Sequence, residues 1–134
     1  MLHKFLMGSV MVVVPVFAMA QDCADPADQA TMNACAEAAF EASDAELNSQ
    51  YKKIVRLLAD DPDAKAALVD AQRAWITFRD ADCAFAASGV AGGSAYPMIY
   101  ANCLDGTTQQ RIGDLDYYLN CQEGDLSCPV PAGG

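Results

Sequence analysis

The chain has 134 residues with eight basic and eighteen acidic side chains, one histidine, six cysteines and one tryptophan. A net charge of −10 disfavours nucleic acid and anionic membrane as partners and suits a cationic protein. The only histidine is His3, which leaves the rest of the chain without the base that Ser-His-Asp or Cys-His catalysis needs.

Residues 1–20 read as a secretory signal peptide. His3 and Lys4 precede an apolar run from Phe5 to Phe17, followed by Ala18-Met19-Ala20, a signal-peptidase pattern that predicts a mature start at Gln21. The apolar run is too short to span a bilayer. Gln21 and Asp22 before Cys23 do not suit a lipidation site, so a soluble protein exported to the periplasm or beyond is expected. Loss of Lys4 leaves seven basic against eighteen acidic residues, a balance of −11.

Three helices are expected beyond the signal. Asp25-Pro26 is read as the cap and first turn of a long helix over about 27–59, with Met32, Cys35, Ala36, Ala39, Phe40, Leu47, Tyr51, Ile54 and Leu58 on its apolar face. Asp61-Pro62 repeats the start signal for a second helix reaching about Ala87. The short connection predicts an antiparallel hairpin. On the second helix, Leu68, Ala71, Trp75, Phe78 and Phe85 are read as the buried stripe, with Trp75 as its core anchor. Gln72 and Arg79 flank that stripe, and Arg73 and Asp80 point elsewhere. Gly89, Gly92 and Gly93 make a loop, and Ser94 with Pro97 begins a third helix running to about Asn120, with a break expected near Gly106. Residues 122–134 form an irregular tail after a domain spanning 21–121. No alternating run of strand length is present, so the fold class is all-α: a small disulfide-stapled helical hairpin plus a third helix.

An even cysteine count in an exported domain reads as a disulfide framework. Cys83 is paired with Cys103, Cys23 with Cys35 and Cys121 with Cys128, from among fifteen possible connectivities. No metal or other cofactor is expected, for there is no Cys-x-x-Cys pair and no mature histidine.

Several segments resemble the lysozyme inhibitor LprI-like family of exported bacterial proteins. They are Met32-Asn33-Ala34-Cys35-Ala36, Asp44-Ala45-Glu46-Leu47-Asn48 with Tyr51, and Ala71-Gln72-Arg73-Ala74-Trp75-Ile76 with Phe78-Arg79-Asp80-Ala81 and Cys83. Gly93-Ser94, Tyr100-Ala101-Asn102-Cys103-Leu104, Thr108 and Arg111 extend the likeness, which covers about residues 23–120. The resemblance implies a small helical fold and lysozyme inhibition. Gly106, Gly113, Cys121 and Cys128 depart from the pattern.

The motif residues Gln72, Arg73, Trp75, Phe78, Arg79 and Asp80 are read as structural, with Arg73 and Arg79 paired to carboxylates of the first helix such as Asp44 or Glu46. Partner contact is assigned instead to Gly89, Val90, Ala91, Gly92, Gly93 and Ser94, assisted by Asp80 and Asp82. The leading function is an acidic binding module acting on lysozyme or another cationic exported protein. The alternatives are an envelope protein of structural or interaction role and, last, a carboxylate-dependent hydrolase.

Overall fold

The computed structural model describes residues 22–132; the expected signal peptide and the expected cleavage point fall outside them. Helix α1 spans Gln29–Leu57, α2 spans Pro62–Ala86 and α3 spans Tyr96–Leu119, with a single 3-10 turn over Ser88–Val90. All regular structure among the described residues is helical, as the sequence predicts.

Helix starts follow capping chemistry, with two corrections. Asp28, not Asp25, caps α1: its backbone is extended and its carboxylate accepts from the Thr31 N–H at 2.8 Å. Asp22 takes up the preceding turn instead, its carboxylate accepting from the Ala24 and Asp25 N–H groups. Asp61 caps α2 as expected, with Pro62 in the first turn. Helix α3 begins at Tyr96 with no side-chain cap; the Ser94 carbonyl is taken by the Asn33 amide at 3.0 Å. No break occurs at Gly106. It and Gly113 sit on the exposed face of a continuous α3, where each forgoes about 1 kcal/mol relative to alanine without losing the helix to neighbouring turns.

The closest pair of helices is α1 with α3, not α1 with α2. Helix α1 buries Ala36, Ser43, Leu47 and Ile54, and α3 buries Ala101, Leu104, Thr108, Ile112 and Leu115. Small residues in these rows let the two backbones approach. Leu47, Ile54, Leu58, Ile112 and Leu115 form the core together with Val130 from the tail. Each fully buried aliphatic side chain contributes roughly 1.5–3 kcal/mol. Asn33 reaches Ser94 at one end, while Ile54 and Leu58 share the core with Leu115 at the other, so α1 and α3 run parallel. Helix α2 is the return limb between them. It packs on α3 rather than directly on α1, which it meets through side chains such as Arg79.

The bridges Cys23–Cys35, Cys83–Cys103 and Cys121–Cys128 pair as the sequence reading proposed. The first pins the N-terminal segment to α1. The second joins α2 to α3 across 20 residues of sequence, worth roughly 3 kcal/mol in the chain-entropy model.

Candidate functional site

The arrangement of α2 is decided by Arg79. Its side chain is 8 % exposed, and its guanidinium is fully engaged. Nε donates to Asp80 Oδ1 at 2.9 Å with Nη2 ion-paired to the same oxygen at 2.9 Å, and Nη1 donates to Asp44 Oδ1 at 3.3 Å and to Thr108 Oγ1 at 3.4 Å. The guanidinium plane also lies over Phe40 and Trp75, 5.2 and 5.1 Å from the ring centroids. One side chain on α2 therefore ties α1, through Asp44 and Phe40, to α3, through Thr108. A planar, permanently charged fork can make these contacts together.

A second guanidinium completes the node. Arg111 of α3 lies 5.9 Å from the Trp75 ring centroid, donates to Gln72 Oε1 at 3.2 Å and pairs with Asp114. Trp75 is half-buried and packed against the Leu47–Leu115 core. Of the residues read as structural, Gln72, Trp75, Arg79 and Asp80 belong to this node. Arg73 does not: it is exposed and, among the described residues, has no ion pair, so the expected pairing with α1 is made by Arg79 alone. Burial pushes the nearby Tyr100 hydroxyl above its usual range, and the Asp80 charge adds to that effect.

The node, together with the Cys83–Cys103 bridge, rotates α2 away from its expected setting. The inward row is Leu68, Gln72, Trp75, Arg79 and Cys83, turned by roughly 70° at 3.6 residues per turn from the stripe chosen by hydrophobicity. Phe78 and Phe85, expected in the core, are 61 % and 78 % exposed. Ion pairing and a covalent bond outweigh the burial of two phenyl rings.

This rotation creates a surface. Phe78 and Phe85 lie two turns apart, about 10 Å along the axis, on a row with exposed Ala67, Ala71, Ala74 and Ala81. Asp82 is exposed between the two rings. Contiguous exposed apolar surface rimmed by charge marks interaction sites. The 3-10 turn follows directly, with Val90 37 % exposed, and Gly89, Val90, Ala91, Gly92, Gly93 and Ser94 are all exposed. This loop is hydrogen-bonded through Val90 to Ala87 and Gly93 to Val90, and Gly92 takes φ +76°, a left-handed turn that favours glycine. The structure thus brings Asp82 and the 89–94 loop to one end of α2. Asp80 is instead half-buried against Arg79.

An apolar cavity of about 250 Å³ lies under the first half of α2, lined by Ile54, Leu58, Leu68, Arg111, Tyr118 and Val130 among others. Its one charged group, Arg111, is already held by Gln72 and Asp114, so the cavity offers no unpaired charge to orient a ligand. Among the described residues no group of His, Cys, Asp and Glu is placed to hold a metal ion.

The fold defines a disulfide-stapled helical protein that carries two exposed phenylalanines and Asp82 on the outward side of α2. The chain belongs to the lysozyme inhibitor LprI family, whose model matches residues 21–115. It is also 35 % identical over 113 residues to an uncharacterized protein of Rhizobium meliloti (strain 1021), an alignment covering 76 % of this chain and 81 % of that protein. No solved structure matches it. Membership makes a lysozyme the kind of partner to consider, and the three bridges suit an extracytoplasmic compartment. No helix among the described residues is long and apolar enough to cross a membrane.

Proposed function

We propose that this chain is an exported inhibitor of lysozyme, released to the periplasm or beyond by cleavage near Ala20–Gln21, and that it docks through the outward face of α2. The observation that carries the site is the exposure of Phe78 and Phe85 on a helix whose rotation is locked by Arg79 and Cys83. The match to an inhibitor family carries the activity. Two aromatic anchors at the centre, Asp82 between them and the 89–94 loop at the margin give an interface core with a polar rim. The net charge of the mature chain draws it towards a cationic enzyme, and the preformed helix face loses little freedom on docking.

The test is a bacterial-lysis assay with the oxidised protein and a basic lysozyme. Inhibition at micromolar concentration is expected. Raising the salt should slow association far more than it speeds dissociation, because steering by exposed charge is screened within about 8–10 Å. Failure to inhibit any lysozyme tried would refute the reading.

A further inference from the structure

The basic residues are distributed unevenly. Between Lys4 and Lys52, and again between Arg79 and Arg111, the sequence contains no lysine or arginine. The fold brings these two stretches together, because α1 and α3 run parallel and α2 returns between them. The first halves of α1 and α3 and the end of α2 meet at one pole, joined by the Cys83–Cys103 bridge and the Asn33–Ser94 hydrogen bond. Among the described residues Arg79 is the one cation there, and it is buried and shared by Asp44 and Asp80. Glu37 and Glu41 are exposed one turn apart on α1. Among the described residues neither has an ion pair, and like charges at that spacing repel. Lys52, Lys53, Arg56 and Lys65 lie towards the opposite pole.

A groove of about 360 Å³ opens at this pole between α1 and α3, lined by Glu37, Phe40, Tyr96, Pro97, Tyr100 and Leu104 among others. Tyr96 and Tyr100, one turn apart on α3, stack with their ring centroids 5.8 Å apart and their planes within 8°. Phe40 already carries the Arg79 guanidinium 5.2 Å from its centroid, an example within the fold of the pairing such rings favour. Burial first, and the Asp80 charge after it, raise the Tyr100 hydroxyl, so that ring stays neutral and the field of Asp80 reaches the groove. Asn33, also on the wall, is spent on Ser94 and Gln29. The groove thus combines flat aromatic walls with the exposed carboxylate of Glu37.

We propose that this groove receives an arginine side chain of a cationic partner, its guanidinium bonded to Glu37 and resting against the Tyr96 and Tyr100 rings. The inference takes its partner, a basic lysozyme, from the function proposed above. Charge selects the occupant: an apolar or anionic group seated here would cover Glu37 and leave it without a counter-charge. Shape selects arginine, whose guanidinium is planar, stacks on aromatic faces and presents a fork to a carboxylate, whereas lysine offers a point charge. The groove borders the 89–94 loop through the Asn33–Ser94 bond, so it lies at the end of the molecule where that loop is placed.

The experiment measures binding of the oxidised chain to a basic lysozyme for the parent, Glu37→Gln, Glu46→Gln, Tyr96→Leu and Tyr96→Phe, with a thermal melt of each. Glu46 is exposed and lies about 180° round α1 from Glu37, so its substitution makes the same change in net charge away from the groove. Glu37→Gln is expected to bind about tenfold more weakly, the effect of losing one charge-assisted contact. Glu46→Gln should stay within about twofold of the parent, since a distant exposed charge acts only through screened attraction. Tyr96→Leu keeps an apolar wall without the π face and should bind about fivefold more weakly, while Tyr96→Phe binds like the parent. Both glutamates are exposed, so their variants should melt with the parent and the comparison between them holds even where Tyr96→Leu loses stability. Equal binding by Glu37→Gln and Glu46→Gln, or parental binding by a folded Tyr96→Leu, overturns the groove contact and leaves the inhibitor reading standing. No binding by the parent overturns both.

Discussion

Trp75→Ala is expected to destabilise the protein by about 3 kcal/mol, the low end of the range for emptying an aromatic site. The low end applies because the ring is half-buried. The loss has three parts. The ring leaves the Leu47–Leu115 core against which it packs. The ring is removed from beside the Arg79 and Arg111 guanidinium groups, where each cation–π contact contributes roughly 0.5–2 kcal/mol. Both arginines then lie beside a gap that the rigid α1–α3 pair does not close. For a domain of this size the melting temperature should fall by roughly 10 °C or more. Far-UV circular dichroism is the measurement of choice, since the variant lacks the chain's only tryptophan. A melt within a degree or two of the parent would mean that the ring lies outside the packed interior.

Arg79→Ala should cost about 2–3 kcal/mol. Breaking a fully buried ion pair typically costs 3–5 kcal/mol. Here Asp44 and Asp80 keep 39 % and 48 % side-chain exposure, so both rehydrate once the arginine is gone. The Thr108 hydroxyl, with no exposed surface, loses its Arg79 contact and adds about 1 kcal/mol. Arg79→Lys separates charge from shape. An ammonium keeps the attraction to Asp44 and Asp80, yet it cannot bond both while lying flat on Phe40 and Trp75. Lysine is therefore expected to recover less than half of the loss in denaturant unfolding. Full recovery would show that only the charge matters and that the planar geometry at this node is incidental.

Much of the fold is legible in the sequence because local chemistry dictates it. Asp61-Pro62 starts α2 where capping chemistry places it, and no strand pattern competes with the helical periodicity. Helix ends that come together set Cys121–Cys128 apart from the other four cysteines, whereas nothing in the spacing of Cys23, Cys35, Cys83 and Cys103 decides between their alternative pairings. The cap of α1 was less legible, because three aspartates, Asp22, Asp25 and Asp28, lie close enough to compete for the role, and a cap is decided by backbone angle as much as by side chain. The rotation of α2 was not legible at all. Counting apolar residues buries Phe78 and Phe85, whereas a buried arginine fork and a bridge turn them out. Helical spacing assigns a face by hydrophobicity alone and is blind to Asp44 and Thr108, which are distant in sequence from Arg79. One signal was available: Gln72, Arg79 and Cys83 recur at helical spacing, a second stripe competing with the apolar one. The 89–94 loop and Asp82 were legible as exposed, but the aromatic centre of the surface they flank was not.

The most direct test of the proposed docking face is the equilibrium affinity of the oxidised Phe78→Asp/Phe85→Asp protein for a basic lysozyme, set beside that of the parent. Both rings project into solvent, so the melting temperature should not move. Two added negative charges by themselves favour a cationic partner, which means that any loss of affinity reports the apolar contact. Binding at least 100-fold weaker than the parent is predicted. An affinity equal to or tighter than the parent's would contradict the assignment of this face.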